Sequence, residues 1–317
     1  MLNLPFMAQL ESAKSVLVAG AGGGYDVFSG LSLYFSLVSA GKKVYLANLS
    51  FTQLSLMEGE RLTPSMLTVT ADTERKHWYF PEQYLCEWFR DHENRDVSIY
   101  CFDRTGVRPL LASYQHLVKV LSLDTVILVD GGTDSLMRGD EDGIGTPQED
   151  ITSIAAITDL EVDRKLMVCL GFGVDHYHGV SNALTFNAIA DLTRLKGFLG
   201  MFSLLDDMPE VVKYREATEH VMKCMPQRES IVSSSILCAL EGRYGDCHTT
   251  SRTIGSTLWI NPLMPVYWFF RLDAVAQRIL YLDAMKNTYS YADINQTIAR
   301  FRQTVMGNLR QRHAIPD

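Results

Sequence analysis

Val126-Ile127-Leu128-Val129-Asp130-Gly131-Gly132-Thr133-Asp134-Ser135-Leu136-Met137-Arg138-Gly139-Asp140-Glu141-Asp142-Gly143-Ile144-Gly145-Thr146-Pro147-Gln148-Glu149-Asp150 is the stretch whose reading decides the fold. Four apolar residues run into an acid, a loop with five glycines and five carboxylates follows, and then a helix begins. A short β-branched run closed by glycine reads as a buried strand. Thr146, Pro147 and Glu149 take the N-cap, N1 and N3 places of a capping box, with proline where its missing N–H costs nothing. The loop over residues 130–145 therefore joins the end of a strand to the start of a helix. In open α/β sheets ligands bind at that edge, and a connection of this length is usually functional or disordered. A solvated acidic insertion is the competing reading. The glycines leave room for close approach and the carboxylates are too many for caps alone, which favours a ligand site.

Outward from this stretch, strand and helix signals alternate. Residues 15–19, 43–49, 97–102, 125–129 and 166–170 read as strands, and residues 27–40, 81–92, 109–121, 147–159 and 182–195 as helices. Apolar strands without period-two alternation belong to a parallel sheet covered on both faces. The expected class is α/β: a Rossmann-like, mainly parallel sheet with helices on both faces over residues 1–200. A mainly helical part, residues 201–317, follows as a cap or extension packed on the same core. Its expected helices are residues 209–225, 229–240, 266–286 and 291–306, and from Gly197 no strand is anticipated. Residues 50–80 carry no clear period and read as an excursion over the sheet edge.

Composition narrows the function. The chain has 317 residues, 47% hydrophobic and 21% charged, enough for a large core. A net charge of −8 argues against nucleic acid or an anionic membrane as partner. Six cysteines without a CxxC spacing read as reduced thiols and argue against a thiolate zinc site. The start of the chain lacks a basic leader, and the apolar run at 258–270 is short and broken by Pro262 and Pro265. The expectation is a cytoplasmic protein with no membrane partner, compatible with a homo-oligomer.

Three further strand ends carry chemistry. The first strand runs into Gly20-Ala21-Gly22-Gly23-Gly24-Tyr25-Asp26, where glycine N–H groups can approach a phosphate at a helix start. Tyr25 in place of the third glycine, and Asn48 where a ribose-binding acid belongs, depart from the dinucleotide fingerprint. Asp26 is either the cap of the next helix or a base, ribose or metal ligand. After the third strand, Arg104 and Arg108 are candidates to hold a phosphate in a bidentate way. After the fifth come Asp175, His176 and His178, a compact acid–base or metal-ligand group. Asp130, Asp134 and Asp175 offer hard oxygen ligands that suit magnesium or calcium. Asp140 and Asp142 have the same chemistry, whereas Glu141 reads as part of a solvated charge run.

The combination of Gly22-Gly23-Gly24-Tyr25-Asp26-Val27-Phe28-Ser29-Gly30, Asp130-Gly131-Gly132-Thr133-Asp134-Ser135, Gly143-Ile144-Gly145-Thr146-Pro147 with Glu149-Asp150, and Pro262-Leu263-Met264 resembles the prokaryotic domain-of-unknown-function family numbered 1152 over nearly the whole chain. That resemblance implies no activity. A more local one does: Gly143-Ile144-Gly145-Thr146 followed by Glu149 is similar to the phosphate-binding turn and ribose-directed glutamate of cytokinin-activating nucleotide phosphoribohydrolases. Here the paired glycines stand apart at Gly131-Gly132, across a long acidic insertion. The resemblance implies work at ribose for Glu149, against a plain capping role.

The expected ligand is a nucleotide or phosphosugar, with Gly20, Gly22, Gly23, Gly24, Asp26, Arg104, Gly131, Gly132 and Thr133 around it. The expected chemistry is hydrolysis or transfer of a ribosyl N-glycosidic bond by Asp130, Asp134, Glu149, His176 and His178. The alternatives are metal-dependent phosphate-ester hydrolysis, a non-catalytic nucleotide sensor and a nicotinamide oxidoreductase.

Overall fold

The computed structural model of the chain describes residues 4–76 and 78–311. The first helix, α1, is Pro5–Glu11, followed by strand β1 (Ser15–Gly20), the short helix α2 (Asp26–Ser29), α3 (Leu31–Ser39) and β2 (Lys43–Leu49). The aperiodic segment contributes two short strands, β3 (Arg61–Thr63) and β4 (Met66–Val69). Then come α4 (Pro81–Glu93), β5 (Ile99–Phe102), α5 (Val107–Leu121), β6 (Thr125–Asp130), α6 (Pro147–Thr158), β7 (Arg164–Cys169) and α7 (Asn182–Arg194). The remainder holds β8 (Phe198–Ser203), α8 (Pro209–Cys224), α9 (Ile231–Leu240), β9 (Gly245–Asp246), β10 (Trp259–Ile260), β11 (Val266–Arg271), α10 (Leu272–Arg278), α11 (Leu282–Met285) and α12 (Tyr291–Val305).

Nine strands form one sheet in the order β3-β4-β5-β2-β1-β6-β7-β11-β8. The five from β5 to β7 are mutually parallel, while β4 and β11 run antiparallel to their neighbours. The expected class, a mainly parallel α/β sheet, holds. Alternation within the strands builds two cores. Leu17, Ala19, Val126 and Leu128 face α5, α6 and α10 to α12, whereas Val16, Val18, Ile127 and Val129 face α2, α3, α4 and α8. Strand order reverses between β1 and β6, so their carboxyl ends open the crevice where such sheets bind ligands.

Two sequence expectations are corrected. The region after Gly197 is mostly helical, yet β8 and β11 belong to the sheet, and residues 266–271, expected to begin a helix, form β11. The run Val266-Tyr267-Trp268-Phe269-Phe270 is buried throughout, contacting both cores, and aromatic residues fit a two-sided pleated layer better than a one-sided helix. The excursion at residues 50–80 likewise extends the sheet instead of only passing over its edge. Among the described residues, no helix is long and apolar enough to cross a membrane, and the six cysteines are unbridged.

Candidate functional site

At the reversal point, β1 and β6 end side by side, with Gly20 paired to Val129. The loops that follow bring Asp26, Asp130 and Asp150 together, with one carboxylate oxygen of each lying within 4.8 Å of the others. Asp130 ends β6, Asp26 starts α2, and Asp150 comes from the first turn of α6. Three more acids surround them. Asp134 accepts the Thr146 N–H at 2.8 Å, Asp175 accepts the Thr133 N–H at 2.5 Å, and Glu149 accepts the Tyr291 hydroxyl at 2.8 Å. Asp130, Asp134, Asp150, Asp175 and Glu149 are all buried.

Burial sets the electrostatics. It pushes the Asp26 carboxyl up to about 7, against hydrogen bonding from the Gly22 and Gly131 amides, which favours the ionised form. Burial first, and then the neighbouring acids, raise Asp130 and Asp150 well above the usual carboxylate range. Asp175 is raised in the same way, with Asp134 the largest charge acting on it. Burial also raises Asp134 and Glu149. Each carboxylate but one has a donor close by: Gly22 N–H to Asp26 at 2.6 Å and Ser135 N–H to Asp130 at 3.3 Å. Asp150 is held differently; among the described residues its Oδ1 is buried without a hydrogen-bond partner. Among the described residues, no lysine or arginine pairs with any of the five aspartates, and Arg104, 4.0 Å from Glu149, is the cation at the edge. Buried like charges without counter-charge are costly.

The local structure explains how the acids are held. Gly22 is the position where a Cβ would lie 2.7 Å from Asp150 Oδ2 and 2.8 Å from Asp26 Oδ2, so only glycine leaves the gap between them open. Gly145, at φ +66°, turns the chain against the Asp134 carboxylate. Ala21 N–H donates to Val129 O and Gly24 N–H to Leu49 O, so these amides, with that of Gly22, are spent inside the protein. Thr146 precedes α6 as expected, but its hydroxyl donates to Asp134 and caps no helix amide. A buried carboxylate is the stronger acceptor, and Glu149, released from a capping box, reaches Tyr291.

Beside the acids lies a cleft of about 390 Å³. Its floor is Gly23, Gly24 and Asp26, and its walls include Phe51, Trp78, Tyr79, His178, Arg228 and Arg252. Arg104 is stacked between Phe51 and Tyr291, 5.4 and 5.2 Å from their ring centres. Arg228 lies 4.4 Å over the Trp78 ring.

The structure thus brings together Asp26, Asp130, Asp134, Glu149 and Asp175 with the glycine loops at 20–24 and 131–132 and with Thr133. His178 is at the cleft wall. His176 is exposed and does not line that cleft. Arg108 turns away to Asn287. Of the acids expected to hold a metal, Asp130 belongs to the close triad, while Asp134 and Asp175 flank it. Glu141, expected to be solvated, is buried and accepts the Gly139 N–H at 2.8 Å. The loop around it is tied to α12 by Arg302, which donates to Gly139 O and Glu141 O. Trp78, Arg228, Arg252 and Tyr291 went unmarked in the sequence, and Asp150 appears there only within a motif, with no role assigned. Only Asp150 carried a signal there, as a second acid in the first turn of a helix that follows a ligand-edge loop.

No curated protein and no solved structure matches this chain. The model of the protein family of unknown function DUF1152 matches residues 17–306, and with the four motif stretches folded into one edge of the sheet, the chain belongs to that family.

Proposed function

We propose that the chain is a divalent-cation-dependent enzyme that binds a nucleotide or phosphosugar and hydrolyses a phosphate ester, with Asp26, Asp130 and Asp150 as cation ligands. The observation that carries this reading is the triad, Asp130 and Asp150 buried and Asp26 half-buried, with oxygens within 4.8 Å of one another and, among the described residues, no lysine or arginine paired with it. A hard cation with oxygen ligands removes the repulsion, and magnesium suits carboxylates shared with a substrate phosphate. A cation held by Asp26, Asp130 and Asp150 would supply Lewis-acid polarisation of the phosphoryl oxygen and orientation of the water that attacks phosphorus. The ester P–O bond then breaks and the departing alcohol takes up a proton. Flanking acids with raised proton affinity can carry that proton.

Glu149 supports a second reading, hydrolysis of a ribosyl N-glycosidic bond. It is buried, its proton affinity is raised by burial, and Tyr291 and Arg104 orient it, while His178 at the cleft wall would protonate the leaving base. The two readings differ in product. Incubation of the protein with a nucleotide and phosphosugar panel, with magnesium or with EDTA, should release inorganic phosphate only when magnesium is present. Free base released in EDTA would favour the second reading instead, and tight binding without turnover would make the protein a sensor.

A direct check on the cation site is Gly22→Ala. The added methyl meets both Asp26 and Asp150, so calorimetric affinity for magnesium should fall by at least about tenfold, ~1.4 kcal/mol, with the circular dichroism spectrum retained. Unchanged affinity would place the cation elsewhere.

A further inference from the structure

We infer that the cleft carries a second anion subsite, opposite the acids, so that the substrate bears a diphosphate and not a single phosphate. This rests on the cation reading above and deepens it to a substrate class. Three observations converge. Arg228 and Arg252 both line the cleft, and among the described residues neither forms an ion pair with a carboxylate. Arg252 is held by donating to Glu229 O at 2.8 Å, and Arg228 is laid against Trp78 at 4.4 Å, so both guanidinium groups are oriented with donors to spare.

The third observation is α9, whose ten residues begin at the same wall. Ser230 caps it by accepting the Ser233 N–H at 3.0 Å. Ile231 and Val232, the first two helical residues, line the cleft, and amides at those positions have no acceptor within a helix. Free amides, a helix dipole and two arginines form an anion site.

Asp26 is in the floor of the same cleft, so it has two poles: carboxylates that call for a cation, and a basic wall that calls for an anion. A monophosphate on the cation leaves that wall unused. A diphosphate spans both, one phosphate on the cation and the next between Arg228, Arg252 and the start of α9. A cleft of about 390 Å³ accommodates such a group with part of its nucleoside or sugar. The Gly22 and Gly24 amides, being spent on Asp26 and Leu49, do not compete for this role.

The test is calorimetric binding with calcium in place of magnesium, using the whole chain. The probes are three pairs: inorganic phosphate and pyrophosphate, AMP and ADP, glucose 1-phosphate and UDP-glucose. At least one diphosphate should bind about tenfold or more tightly than its monophosphate partner. Arg228→Ala and Arg252→Ala, both at exposed positions, should each weaken the preferred diphosphate by about tenfold or more and its monophosphate partner by less, so that the preference is lost. Which diphosphate is preferred separates a nucleoside from a sugar-linked source. Equal affinity within every pair overturns the inference, as does equal weakening of both members in the arginine variants. Titration of calcium alone scores the cation reading separately. Calcium binding without a diphosphate preference keeps that reading and sinks this one. An arginine-dependent preference without calcium binding does the reverse.

Discussion

Asp150→Asn should stabilise the metal-free protein and at the same time lower turnover by about 10²-fold or more. The two effects have one cause. Asp150 is buried in the triad, its Oδ1 has no donor, and burial with the neighbouring acids raises its proton affinity. A neutral amide of the same shape removes a charge that the fold alone does not compensate, worth on the order of 1–3 kcal/mol above neutral pH. The same change removes a cation ligand, and loss of one electrostatic partner in a dry site costs about 10²–10³ in rate. Melting curves in EDTA should therefore shift up for the variant. Magnesium at ~100 Kd, which stabilises the wild type by ~2.7 kcal/mol, should hardly move it. A variant that melts lower in EDTA and keeps full turnover would show Asp150 to be a structural acid and nothing more.

That opposition of stability and activity is what a site built from like charges imposes, and it bears on what can be read in the chain. The site's edge is legible because the strands at 15–20 and 125–130 are apolar on both faces. That forces a parallel sheet, and a parallel sheet puts its strand-end loops together. Asp26 and Asp130 follow from position alone. Asp150 does not: a second acid in the first helical turn complements the helix dipole equally well, and only the fold shows it aimed inward. Strand β11 escapes the sequence because the aromatic run after Pro265 has the same hydrophobicity as a buried helix, and periodicity cannot separate the two. Arg228, Arg252 and Trp78 lie in segments without motif or period. Their meeting depends on how α9 and the loop before β10 pack against residues 51–79, a long-range outcome that no local spacing encodes. Glu141 looks solvated for a related reason, since its neighbours come from far along the chain, with Arg302 donating to its carbonyl and Arg310 lying 3.8 Å from its carboxylate.

Asn48, noted in the sequence as a departure from a ribose-binding acid, leads to a last prediction. Its Nδ2 donates to Gly24 O and to Glu82 Oε1, each at 2.8 Å, so it ties the glycine loop to a glutamate that is fully buried. The other oxygen, Glu82 Oε2, has no partner. Burial pushes the Glu82 carboxyl from 4.5 up to about 7, with the Asn48 hydrogen bond pulling the other way. The folded state therefore holds a proton that the unfolded state releases above pH ~4.5. Stability from this group is complete below that pH and is lost as pH rises toward about 7. The loss totals about 3 kcal/mol, at ~1.4 kcal/mol for each pH unit between those two values. Glu82→Gln keeps an acceptor for Asn48 and has nothing to ionise. Denaturant unfolding at intervals from pH 4 to pH 8 should show the variant close to wild type at the acid end. At pH 8 it should be more stable by about 2–3 kcal/mol. Some decline with pH remains in both proteins, because Asp26 is raised in the same direction. Parallel profiles for variant and wild type across the whole range would mean that Glu82 ionises freely in the folded protein, and that the support beneath the glycine loop is not a protonated acid.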